Sequence, residues 1–177
     1  MFLSFYTPTY KRPVQLARCQ ASVQAQTVPC QQLIVRDEVG IGVDGMFRAV
    51  PRHAAGLWGQ YVHMLADDDV LAGPDVVAQV QAVAHHEQQP DVIIVRALKN
   101  GLLLPLEMQG PPILGQIDLG CVITRRDVWL QHVHDYGALG RYEGDFDHVS
   151  AMWRAGRRFV YAGILFEHGP ASHGVPE

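Results

Sequence analysis

Two rhythms of apolar positions follow one another along the chain: short unbroken runs that read as buried strands, and stripes recurring every three or four residues that read as helices. Residues 2–6 form an apolar, aromatic run. Thr7-Pro8-Thr9-Tyr10-Lys11-Arg12-Pro13 then interrupts it with turn chemistry, which predicts a strand followed by a loop. From Val14 to Gln26, Leu16, Cys19 and Val23 share a stripe between Pro13 and Thr27-Val28-Pro29, predicting a helix. Leu33-Ile34-Val35 reads as a second buried strand closed by Arg36-Asp37-Glu38, so the opening has the form of a βαβ unit.

Between Gly40 and Gly59 the helical spacing of Met46, Phe47, Val50 and Ala54 is broken by Gly45, Pro51 and Gly56, and an irregular helix is expected. Tyr61 to Ala66 is a strand that runs straight into Asp67-Asp68-Asp69. Gly73-Pro74 opens a helix whose Val76, Val77, Val80, Val83 and Ala84 share a core-facing side. Asp91 to Ala97 is a strand, and residues 98–116, rich in glycine and proline, read as a long loop or short hairpin of the kind that is often functional. Ile117 to Thr124 is a further strand, with Thr124 and Asp127 spaced as a capping box for a helix carrying Val128, Trp129, Leu130 and Val133. Phe146, Val149, Met152 and Trp153 mark a helix that Gly156 ends, and the last strand spans about Arg158 to Phe166.

Strands alternating with helices predict an α/β fold, a mainly parallel central sheet with helices on both faces. The 177 residues, 48% hydrophobic and 18% charged, suit one compact domain over 1–177 rather than a disordered chain. A net charge of −4, from 14 basic and 18 acidic residues, gives no field for generic nucleic-acid binding. Cys19, Cys30 and Cys121 are odd in number and lack zinc or disulfide spacing, so a reducing, cytoplasmic setting is expected. No apolar run reaches the length of a membrane span, and the start lacks the basic region of a signal peptide.

In open α/β sheets ligands bind beyond the carboxyl ends of the strands, and the polar residues Thr7 to Arg12, Asp37-Glu38 and Asp67-Asp68-Asp69 fall at such ends. Asp37-Glu38 alone is equally a solvated turn. Three adjacent carboxylates repel one another unless a cation sits among them, and hard oxygen ligands select Mg²⁺, Mn²⁺ or Ca²⁺; the rival account is an acid cluster before a helix. His85-His86 read as a solvated helix end, and His132 and His134, two apart, do not share a helix face. Arg154, Arg157 and Arg158 read as a solvated helix end, and Trp129, Met152 and Trp153 as core.

Phe2-Leu3-Ser4-Phe5-Tyr6-Thr7-Pro8-Thr9-Tyr10-Lys11-Arg12-Pro13, with the helix ending Ser22-Val23-Gln24-Ala25-Gln26-Thr27, resembles the opening of an inverting family 2 glycosyltransferase of the GT-A fold. Gly59 to Asp69 resembles the strand that delivers that family's DxD motif, and Gly144-Asp145-Phe146-Asp147 with Arg154-Ala155-Gly156 and Phe159-Val160-Tyr161 resembles its C-terminal part. The resemblance implies a Rossmann-like nucleotide-binding half, a nucleotide-diphosphate sugar donor (a UDP-sugar), an acceptor hydroxyl and Mn²⁺ or Mg²⁺. Thr7, Pro8, Thr9, Tyr10 and Arg12 match the first-loop positions around the nucleotide, joined by Asp68, and Asp37 matches the acid that contacts base or ribose. Asp67 and Asp69 match the DxD pair, with His168 as third metal ligand and His173 in reserve. The family's Glu-Asp pair before the last helix reads Gly144-Asp145 here, leaving the base between Asp145 and Glu143, with the helix dipole expected to keep Asp145 ionised. Rival readings are a metal-dependent nucleotidyl or phosphoryl transferase and a non-catalytic sugar-nucleotide or glycan-binding module.

Overall fold

The computed structural model describes residues 1–140 and 142–170. In chain order the elements are β1 (Leu3–Thr9), α1 (Pro13–Gln24), β2 (Gln31–Arg36), α2 (Gly42–His53), β3 (Tyr61–Met64), β4 (Val70–Leu71) and α3 (Val76–His86). They are followed by β5 (Val92–Lys99), β6 (Leu102–Leu104), β7 (Val122–Arg125), α4 (Arg126–His132), α5 (Gly144–Arg154) and β8 (Phe159–Gly169). Among the described residues these strands form one eight-stranded sheet in the order β2-β1-β3-β7-β5-β8-β4, with β6 paired to β5 outside that path.

β1, β2, β3, β5 and β8 point one way, while β7 runs antiparallel between β3 and β5. Alternation along the strands divides the core. Phe5, Tyr61, Ile93, Val95 and Ile123 face α1 and α3, whereas Tyr6, Val62, Met64, Ile94 and Val122 face α2, α4 and α5. The α/β architecture with helices on both faces is therefore present. Cys19, Cys30 and Cys121 are free thiols, the first and last fully buried among apolar neighbours. No helix among the described residues is long and apolar enough to cross a membrane.

Several local expectations are corrected. β1 continues through Thr7-Pro8-Thr9, where a loop is predicted from the turn-forming residues. Pro8 is tolerated because the pairing with β3 stops at Tyr6, leaving that flank of the strand open. The stretch 98–116 begins as a β5–β6 hairpin with Leu98 opposite Leu103, and its remainder wraps Tyr161, whose hydroxyl donates to the Gly110 carbonyl. The capping box does not form: Thr124 is buried in β7, Arg125 is the residue before α4, and Asp127 instead accepts from the Arg125 guanidinium at 2.6 Å. The strand expected at 117–124 begins at Val122, preceded by a 3-10 turn over Leu119–Cys121 that Asp118 caps by accepting from the Gly120 N–H at 2.8 Å. β8 runs three residues past Phe166, to Gly169.

Trp129 of α4 is buried to 1% exposure with Tyr136 against the β3 side of the sheet. Trp129→Ala is expected to cost about 3–5 kcal/mol, the usual range for emptying a buried aromatic site, as read from urea unfolding midpoints at unchanged slope.

Candidate functional site

Because five strands share a direction, their carboxyl ends meet at one edge of the sheet. Antiparallel β7 brings its amino end there too, with Asp118 shortly before it, and α5 presents its first turn. The candidate site is built at this edge.

The first group lies between α1 and the turn after β3. Arg12, the residue before α1, donates through one Nη1 to Asp67 Oδ1 at 2.7 Å and Asp68 Oδ2 at 3.2 Å. The Asp68 carboxyl is pushed up from its ordinary value by burial first and the Asp69 charge second, against the Arg12 charge. Thr7 and Thr9 lie buried inside β1, and the Thr7 hydroxyl accepts from Gln32 at 3.0 Å. Tyr10 packs over Gly40, where a Cβ would stand 2.8 Å from the phenol ring, with Lys11 Nζ 5.0 Å from that ring's centre. Asp37 caps its own loop, accepting from the N–H groups of Val39, Gly40 and Ile41 at 3.0, 2.8 and 2.6 Å. Slight burial acts to raise its carboxyl, and these three donors outweigh it, so it stays below the ordinary value.

The second group is buried, and of its members the sequence pattern singles out Asp69 alone. Lys99, the last residue of β5, donates to Asp69 Oδ2 at 2.5 Å and Glu167 Oε1 at 2.8 Å, and its Nζ lies 3.8 Å from Asp118 Oδ2. His63 places Nε2 at 2.8 Å from Glu167 Oε2 and Nδ1 at 2.9 Å from the Val122 carbonyl. A carbonyl only accepts, so Nδ1 carries hydrogen. Burial pushes the ring down to about 4, against the Val122 bond, so it is neutral at pH 7 and Nε2 is an acceptor. Burial, then the Glu167 charge, raises the Asp69 carboxyl, against the Lys99 charge. For Lys99 burial acts to lower the ammonium's value, and the charges of Glu167, Asp118 and Asp69 outweigh it. The ammonium's short bonds to both carboxylates are what let this cluster sit out of water.

Space for it comes from two glycines. A Cβ on Gly120 would stand 2.3 Å from Glu167 Oε1, and one on Gly169 would stand 1.3 Å from Asp69 Oδ1. Among the expected metal ligands, Asp67 Oδ2 and Asp69 Oδ1 are buried with no hydrogen-bond partner. Two hard, unpartnered oxygens fit a hard divalent cation, whose other ligands would come from diphosphate and water. His168 does not join them. Lys99 pairs with Gly169 and Ala97 with Glu167 in register, so alternation turns His168, beside Leu98, to the opposite face. Among the described residues no three His, Cys, Asp or Glu side chains are grouped to hold a metal, and His173 lies outside those residues.

Asp145 occupies the first turn of α5, with its Oδ1 accepting from the Phe146 N–H at 2.7 Å, and Glu143 is the residue before that helix. The helix dipole does not decide its ionisation. Burial pushes the carboxyl up to about 7, with the charges of Asp118 and Asp147 adding to it against the Phe146 bond. Tyr142 is raised too, by burial first and then by the charges of Asp145, Asp118, Asp68 and Glu143. A carboxyl poised near neutrality is suited to take a proton.

No family model matches this sequence, and no curated protein matches it. Solved structures do match its fold. S. aureus TarS 1–349 in complex with UDP superposes with a TM-score of 0.72 at 15% identity, covering 97% of this chain and 61% of that one. The TarS 1–349 complex with UDP-GlcNAc gives 0.64 at 13% identity over 99% and 60%. A197 from STIV gives 0.57 at 14% identity over 92% and 82%. TarS is a GT-A family glycosyltransferase, and this chain has a GT-A-like fold, its likeness at such identities being one of architecture. The chain spans about three-fifths of the TarS 1–349 chains.

Gly169→Ala is expected to lower stability by about 1–3 kcal/mol, the usual cost of overpacking. Gly163→Ala, where a Cβ meets nothing within 4 Å, is the control and should leave the unfolding midpoint nearly unchanged. Asp145 yields a second expectation through proton linkage. Its folded-state value, about 7, lies above its ordinary 3.8, so the folded protein holds this proton more tightly, and that stabilisation is complete below about pH 4 and lost as pH rises to 7. Asp145→Asn should therefore leave the thermal midpoint nearly unchanged at pH 4 and raise it at pH 8.

Proposed function

We propose that this chain transfers a sugar from a nucleoside-diphosphate sugar to an acceptor hydroxyl, with inversion at the anomeric carbon. The observation that carries the reading is the opposition, at one sheet edge, of an Asp-x-Asp turn clamped by Arg12 and a carboxyl on α5 poised near neutrality. Support comes from the GT-A-like fold, since TarS matches this chain in structures holding UDP and UDP-GlcNAc. On this reading the nucleotide lies against Tyr10 and the self-capped Asp37 loop. Arg12 places a permanent positive charge at the diphosphate and orients Asp67 and Asp68.

Asp67 and Asp69 would hold Mn²⁺ or Mg²⁺ through their unpartnered oxygens, and the ion would neutralise the charge that builds on the departing diphosphate. Asp145 takes the proton from the acceptor hydroxyl as its oxygen bonds to the anomeric carbon and the bond from that carbon to the phosphate oxygen breaks. Glu143 stands at the helix entrance as the second candidate for that role. An ionised Asp145 is the working form, so the rate of transfer rises with pH and levels off above about 7.

Incubation with a panel of UDP-sugars, Mn²⁺ and acceptor hydroxyl compounds should release UDP. Asp145→Asn should lower that release about 100-fold or more, in line with losing general-base catalysis, while leaving the Kd for UDP within about twofold because the base contributes nothing to ground-state nucleotide binding. Glu143→Gln should do less. Release of pyrophosphate in place of UDP would assign a nucleotidyl transferase, and retention of the donor's anomeric configuration in the product would end the inverting mechanism.

A further inference from the structure

Asp69 is one of the two carboxylates that would hold the divalent ion, yet its Oδ2 is already engaged by an ammonium, Lys99 Nζ at 2.5 Å. This is not a surface contact: the Lys99 and Asp69 side chains are 5% and 3% exposed. The ammonium is also fixed from the far side. Glu167 Oε1 accepts from it at 2.8 Å, and Glu167 is itself held by His63, whose other nitrogen is tied to the Val122 carbonyl. Strands β3, β5, β7 and β8 thus combine to seat a positive charge beside the Asp-x-Asp turn. A further carboxylate, Asp118 Oδ2, lies 3.8 Å from Nζ without forming the closer contact that Asp69 and Glu167 make.

A monovalent and a divalent cation on one buried carboxylate repel each other strongly, because little water stands between them. Removing the ammonium altogether would strand Glu167 and Asp118 beside one another. Resting on the metal assignment above, we propose that Lys99 is a built-in competitor for the divalent ion: its ammonium holds Asp69 in place while the site is metal-free and yields that carboxylate when the ion enters, keeping Glu167 and closing on Asp118.

Two consequences follow from the charges. The Asp-x-Asp turn stays assembled without metal, since Lys99 supplies the counter-charge. The bare ion binds weakly, because it arrives against a resident cation, whereas an ion carrying a nucleoside diphosphate brings its own negative charge and meets less opposition. The species taken up is then the metal–nucleotide complex rather than the metal first.

The test is Mn²⁺ alone, titrated against the full chain with free Mn²⁺ followed by electron paramagnetic resonance, and thermal midpoints with and without Mn²⁺. The forms compared are wild type, Lys99→Met, the double variant Lys99→Met/Glu167→Gln, and each with Asp69→Asn. The double variant removes one carboxylate together with the ammonium, so it remains a usable form where Lys99→Met alone does not fold. Loss of the competing charge should tighten Mn²⁺ binding at least about tenfold, raise the midpoint with Mn²⁺ in the Lys99 variants only, and lose that gain when Asp69→Asn is added. If wild type binds Mn²⁺ through Asp69 and the folded Lys99 variants bind it no more tightly, the competition is overturned while the metal site stands. If no form binds Mn²⁺, or binding ignores Asp69→Asn throughout, the metal assignment itself is wrong and the competition falls with it.

Discussion

A lysine ammonium held out of water between two carboxylates is the interaction on which the site edge of this sheet depends. Each of those groups alone would be costly to bury by several kcal/mol, and only as a hydrogen-bonded set of opposite charges do they become tolerable. The demands reach outward from there. Gly120 and Gly169 are side-chain-free because carboxylate oxygens stand where their Cβ atoms would be. His63 is neutral because burial pushes its ring down to about 4, against the bond it donates to a backbone carbonyl. β5 and β8 run side by side to Lys99 and Gly169, beyond the last purely apolar residue of either, because the polar set needs both strands to hold it.

The parts of this fold that were legible in the sequence are those whose signal is local. The stripe Leu16, Cys19, Val23 gives α1 and the stripe from Val76 to Ala84 gives α3, because a helix repeats its burial within a few residues. The Asp-x-Asp turn is legible for a related reason, an acid cluster at the end of an apolar run. What escapes local pattern is pairing. Nothing within Val122–Arg125 says that it runs antiparallel between β3 and β5, and Lys99 after an apolar strand reads as the usual charged residue at a solvated end. Glu167 is hidden by the same rule that exposes His168 to notice: a histidine after a strand suggests a ligand, but alternation puts its neighbour in the cluster instead. The one available hint was His63, a polar residue inside the run Tyr61-Val62-His63-Met64, all four of them buried.

Asp37 and Asp145 show how position and environment separate two acids at the same edge. Asp37 is saturated by the backbone of its own loop and stays ionised, so its work is to hold shape. Asp145 accepts from backbone N–H groups at the start of its helix, but burial and the charges of Asp118 and Asp147 outweigh them, so its proton sits near the balance point at neutral pH. The helix dipole, which favours the ionised form of both an N-terminal acid and a bound anion, is outweighed there by loss of water. Divergent ionisation of neighbouring carboxyls is the arrangement expected of a site that must both steady a ligand and move a proton.

The long strand β8 also ties the state of the site to the integrity of the sheet. It pairs with β5 along most of that strand's length and carries Glu167 to the Lys99 ammonium. With β8 undocked, the ammonium would lack one of its two close partners and the β5 edge beyond β7 would stand open. Local opening of this one strand would therefore admit water to the buried lysine and loosen the hold on Asp69 in a single event.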